Sequence, residues 1–160
     1  MTNTNIENLS LVPTLLEIQR ILDWSCELIP DNSVRISLVP NISSTRMKCV
    51  GWFGDKTWST REGVIKAEIG IPPETLGRDP YQIAGTIVHE TAHAWNSAMG
   101  ISDCATNQRH NKKFKLAAET LGLCVSDPKD HRGYGYTELT DQLRSRIEKE
   151  LSPDVASFDL

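Results

Sequence analysis

The chain reads as a single α+β domain in which a small, mostly antiparallel sheet packs on a helix. Three features lead there. Apolar residues recur at helical spacing at both ends: Leu15, Leu16, Ile18, Ile21 and Leu22 near the start, and Leu139, Leu143, Ile147 and Leu151 near the finish. The middle alternates instead, with Val34, Ile36 and Leu38 on one side of an extended segment. A third stretch opens at Asp79-Pro80 with the residues of a helix start: a side chain that can accept from the first free N–H groups, then a proline where no N–H is needed.

Taken in order, residues 1–10 form a polar lead-in. A first helix is expected over 13–28, with Pro13 tolerated in its first turn and Pro30, Asp31 and Asn32 ending it. Strands are expected at 34–38, from Lys48 to Phe53 and from Val64 to Ile71, separated by a Gly54-Asp55 turn and a Ser59 to Gly63 loop. The capped helix runs from about 80 to 98 and stops before Gly100. After a polar loop at 100–109, Asn111 to Thr120 fits a third helix closed by Gly122. Gly133 to Tyr136 is a turn or short strand, and 139–151 is a last amphipathic helix. The organisation is thus one domain over 11–152, with a short tail at 153–160.

Composition narrows the partners. With 17 basic and 21 acidic residues the formal charge is -4, so nothing global attracts nucleic acid or an anionic membrane. No apolar run approaches the ~18 residues of a membrane span. Met1 to Leu11 shows no basic stretch followed by an apolar one, so a cytoplasmic protein is expected. Cys26, Cys49, Cys104 and Cys124 form no C-x-x-C pair and read as free, mostly buried thiols.

The chemistry concentrates in His89-Glu90-Thr91-Ala92-His93. On a helix, positions i and i+4 leave the same face one turn apart, so both imidazoles can reach one zinc ion at ~2.0–2.1 Å. Glu90 then stands beside the metal as the general base for a water whose pKa the metal lowers. The bland alternative is a surface helix with two histidines. The helix cap and the apolar flanks Ile87, Val88 and Trp95 argue against it, because a buried unpaired Glu or His is costly. A catalytic zinc ordinarily takes a third protein ligand. The G-x-x-H extension of one zinc-protease group is excluded, since Asn96 and Met99 occupy those places. His110, opening the next helix, and Glu119, inside it, both remain as third ligands. His131 reads as a solvated histidine in a polar loop. Tyr134 and Tyr136 read as packing residues, although a phenol near zinc could stabilise an oxyanion. Arg109, Lys112, Lys113 and Lys115 form a local basic cluster that could steer an acidic or nucleic-acid-associated substrate, or simply be the wet side of a helix.

Three strings, His89-Glu90-Thr91-Ala92-His93-Ala94-Trp95-Asn96, Gly100-Ile101-Ser102-Asp103 and Arg109-His110-Asn111-Lys112-Lys113-Phe114, resemble the SprT-like zinc metallopeptidases. The likeness is greatest to the subfamily of bacteriophages and mobile elements. Gly122-Leu123, Gly135-Tyr136-Thr137, Gly51-Trp52-Phe53 and Ala67-Glu68-Ile69 extend it over about residues 45–140. The resemblance implies a minimal zincin fold, zinc held by His89, His93 and His110, and Glu90 as general base. It implies a protein or peptide substrate, with the host cytoplasm as the setting if the chain is phage-borne. No cysteine follows Cys124, so the four-cysteine zinc ribbon of many relatives, and the DNA binding it brings, are not expected. Two other functions fit the same residues: a zinc-containing interaction module with little proteolysis, and a non-peptide hydrolase using the same activated water.

Overall fold

A computed structural model of the chain describes residues 10–30, 36–45, 48–63 and 65–159. Helix α1 (Val12–Glu27) precedes strands β1 (Leu38–Ile42), β2 (Trp52–Ser59) and β3 (Ile65–Ile71). A 3-10 turn at Pro73–Thr75 leads into helix α2 (Pro80–Ala98). Helix α3 (Lys112–Thr120), strands β4 (Leu123–Val125) and β5 (Thr137–Leu139) and helix α4 (Asp141–Arg146) follow. A π-helical turn, Ile147–Leu151, and a 3-10 turn, Val155–Phe158, complete an α+β protein.

The main sheet is mixed, with strand order β1-β3-β2. β2 and β3 pair antiparallel, as do β4 and β5 in a separate ribbon, but β1 lies parallel to β3. The antiparallel expectation fails at that edge because the chain leaves β1 for the far side of the sheet and returns to the centre through the β2–β3 hairpin. That hairpin turns at Thr60–Gly63, where Gly63 N donates to Thr60 O and Gly63 has φ +79°. The expected Gly54-Asp55 turn is instead a register irregularity inside β2, with Lys56 at φ +53°. Residues 48–51, read as strand, are not. Of the other expected strand residues, Ile36 precedes β1, and Val34 and Val64 lie outside the described residues.

The helices begin where their capping residues dictate. Asp79 accepts from Tyr81 N at the start of α2, and Asn111 accepts from Lys113 N and Phe114 N at the start of α3. Thr140 caps α4 through Leu143 N. That cap explains why the last helix starts after Leu139, which belongs to β5 instead. α2 is the centre of the core. Ile83, Ala84, Ile87, Val88 and Ala92 are wholly buried, and β3 contributes Ile69 and Ile71. Thr91 on α2 and Ser25 on α1 share a buried hydrogen bond of 2.8 Å, pinning the two helices in register.

The segment after 152 is docked rather than trailing. Thr14 Oγ1 donates to Ser157 O, Asp154 N donates to the buried Glu17 carboxylate, and Phe158 is buried. Among the described residues no helix is long and apolar enough to cross a membrane. The four cysteines are free, but the expected burial is only partial. Cys124 is exposed because strand alternation turns Leu123 and Val125 inward and sends it out.

Candidate metal centre

His89 and His93 project from one face of α2, and His110 meets them from the residue just before the α3 cap. One nitrogen from each ring lies within 4.8 Å of the other two, so the three could hold a metal ion. His93 Nε2 and His110 Nε2 are 3.1 Å apart. Two ~2.0–2.1 Å zinc–nitrogen bonds at a tetrahedral angle would separate their nitrogens by roughly 3.3 Å, so this spacing fits such an ion. Phe114, wholly buried in the first turn of α3, forms the floor, with its ring centroid 4.5–4.6 Å from all three imidazoles.

The other nitrogen of each histidine is held from outside. His93 Nδ1 lies 2.8 Å from Asp103 Oδ2, His110 Nδ1 lies 3.2 Å from Arg132 O, and His89 Nδ1 lies 2.9 Å from Thr137 Oγ1. A carbonyl or carboxylate oxygen only accepts, so His93 and His110 must carry a proton on Nδ1 there. That tautomer directs the Nε2 lone pair of a neutral ring inward, which is the arrangement metal-bound histidines use. Asp103 also accepts from Asn96 Nδ2, and its backbone carbonyl accepts from Asn111 N. The Ser102–Cys104 segment therefore ties the ligand-bearing turn of α2 to the residue after His110.

Glycines make room for His110. A Cβ on Gly135 would come within 2.7 Å of His110 Nδ1, and one on Gly133 would collide with His110 O. Gly133 also has φ +62°, which L side chains rarely adopt. The expected turn at 133–136 is thus the cradle of the third imidazole, and β5 begins one residue later.

Electrostatics match a cation site. Burial and the charges of His93 and His110 hold His89 well below its ordinary pKa. Burial and His93 bring His110 down to about 4. Both rings are therefore neutral at pH 7 and able to donate lone pairs. For His93, burial is outweighed by the Asp103 hydrogen bond and by Glu90, so its pKa rises. Burial raises Glu90 to about 7, partly countered by His93. A cation held by the imidazoles would draw that value down. Glu90 is only 7% exposed. Gly51, at the foot of β2, faces it, with a position for Cβ 3.5 Å from Glu90 Cγ.

Glu119 does not join this group. It lies on the exposed side of α3, 3.7 Å from Lys115 Nζ. A helical residue five positions past Phe114 faces away from the floor that Phe114 makes. His131 is exposed. Tyr136 donates its hydroxyl to Asp130 Oδ2 at 2.6 Å, and Tyr134 lies against the Lys115 ammonium. The basic cluster is partly spent on the fold: Arg109 Nη1 donates to Asp130 O, and Lys115 also approaches Asp127.

The sequence alone gives no role to Asp103, Asn96, Thr137 or Phe114, although all four stand in the strings that carry the resemblance. The signal available was chemical. A metal-binding histidine needs an acceptor for its second N–H, and Asp103 is the carboxylate nearest in sequence after His93. Comparison of the chain with protein-family models, with curated proteins and with solved structures finds no match in any of the three.

Proposed function

We propose that the chain is a zinc-dependent peptidase of SprT-like type, with His89, His93 and His110 as ligands and Glu90 as general base. The observation that carries this reading is the convergence of three externally anchored imidazoles beside one buried carboxylate. The donor set favours zinc. Three imidazole nitrogens, with no further ligand grouped with all three among the described residues, match the usual catalytic complement, leaving a position open. Zinc bound there would supply Lewis acidity, polarising a carbonyl and acidifying a water.

The protein's own groups would do the rest. Glu90 accepts the proton of the attacking water and passes it to the departing amine nitrogen. Asp103, Thr137 and the Arg132 carbonyl hold the rings so that no reorganisation is needed during the reaction.

The test compares wild type with Glu90→Gln in elemental analysis and in cleavage of casein and of the chain itself, with and without single-stranded DNA. The expected result is about one zinc per chain in both proteins and turnover only in wild type. Equal turnover in the variant would reject Glu90 as base. Zinc without turnover in wild type would leave a zinc-containing interaction module.

A further inference from the structure

Beside the three imidazoles lies a second group of metal-binding side chains, and it borrows one of their rings. We propose that Cys104, Asp103 and His93 form a distinct site for a soft divalent cation such as Zn2+ or Cd2+. One nitrogen of His93, a carboxylate oxygen of Asp103 and Cys104 Sγ lie within 4.8 Å of one another. Ordinary zinc bond lengths to N, O and S put neighbouring donors roughly 3.3–3.6 Å apart, so modest side-chain rotation closes the group on one ion. Among the described residues, only this group and the three-histidine group bring together three or more His, Cys, Asp or Glu in this way.

The shared ring presents one nitrogen to each site. His93 turns Nε2 toward His110 and Nδ1 toward Asp103. The first ion takes Nε2, and the second takes Nδ1 in place of the proton now given to Asp103, which makes the ring an imidazolate bridging the two ions. The backbone holds the other two donors in a frame: Cys104 and His110 form a β-bridge, Ala105 N donates to Arg109 O, and Asn111 N donates to Asp103 O. Cys104 is half-buried, so solvent reaches the group. A thiolate, a carboxylate and an imidazole together select zinc or cadmium over magnesium or calcium.

Binding breaks the Cys104 S–H bond and the His93 Nδ1–H bond. It forms S–metal, O–metal and N–metal bonds and releases both protons to solvent, with no change of oxidation state. Because two protons must leave and the ring must be shared, the second ion binds more weakly than the first. It also removes the Asp103 acceptor from His93, so filling it weakens the primary site.

This site goes beyond the peptidase reading, and its test needs no turnover. Metal-free protein is titrated with Cd2+ alone, and metal content and the ultraviolet thiolate-to-cadmium absorption are followed. Wild type should bind two ions, with the absorption growing during the second equivalent. Cys104→Ser should bind one and lose the absorption, whereas His110→Ala should lose the first equivalent and keep the absorption. As a check that needs no variant, Cd2+ should protect Cys104 of wild type from alkylation, read by peptide mass mapping. No absorption in wild type, absorption retained in Cys104→Ser, or full alkylation of Cys104 under saturating Cd2+ would each overturn the site. An inactive wild type that still passes these tests would refute only the peptidase reading.

Discussion

Glu68 and Glu90 are equally buried, each 7% exposed, yet the two regions around them use a carboxylate in opposite ways. Glu68 sits on the face of β3 that alternates with the core residues Ile69 and Ile71. Trp58 Nε1 donates to it at 2.8 Å, Asn41 Nδ2 at 3.2 Å and Trp52 Nε1 at 3.4 Å. Those neutral donors occupy its oxygens and join all three strands of the sheet through it. Glu90 interacts with the His93 imidazole instead, and burial lifts it to about 7. Glu68, surrounded by N–H donors, is structural, whereas Glu90, buried against the His93 imidazole, is placed for the proton transfer proposed above. Burial alone does not distinguish them; the partners do.

The widest separation between the two should come from paired Glu→Gln variants. Glu90→Gln is expected to lower turnover by roughly 10²–10⁴-fold, the usual contribution of a general base. Its melting temperature should be unchanged or higher, because the amide removes the cost of burying a charge. Matching losses of stability and activity would show that Glu90, too, is structural.

Asp103 falls between these extremes, a partner-rich carboxylate that acts through the ring it holds. Its pKa is lowered: burial works to raise it, but the His93 hydrogen bond and charge and the Asn96 bond outweigh that. Asp103→Asn keeps the shape and loses the charge, so zinc affinity should drop about 10–100-fold. Competition against a chromophoric chelator measures it, and unchanged affinity would remove Asp103 from the site's supporting layer.

The same contrast explains what could be read in advance. The H-E-x-x-H helix was legible because its signals are local: a cap at Asp79, a proline at position 80 and an i, i+4 histidine pair. The α+β class and three helix positions were legible for similar reasons. What escaped depends on partners distant in sequence. Thr137 reaches His89 across 48 positions, and Gly135 matters only because His110 lies against it. The parallel β1–β3 edge escaped because alternation reports which side chains are buried, not strand direction. β4 and β5, three residues each, are too short for any period to register.

On the sheet side, Glu68→Gln retains one acceptor oxygen but turns an NH2 group toward the other donors. It should destabilise the protein by roughly 1–3 kcal/mol, read by urea denaturation, while zinc content and turnover per folded molecule stay at wild-type values. Loss of zinc from this variant would show that the sheet's outer face and the metal centre are coupled.

The smallest effect is expected at Glu119, and its smallness is informative. Its contact with Lys115 is a surface i, i+4 pair, with side-chain exposures of 30% for Lys115 and 44% for Glu119. Such pairs contribute about 0.3–0.5 kcal/mol, because water screens the charges and two long side chains must be ordered. Glu119→Ala should therefore shift stability by no more than that and leave zinc bound, whereas His110→Ala should release it. Because a third ligand cannot be lost without loosening the metal, zinc retention in the first variant and loss in the second would identify the imidazole that Gly135 packs against as the third donor. The reverse outcome would require α3 to turn its far face toward α2, which the buried Phe114 floor beneath all three rings does not allow.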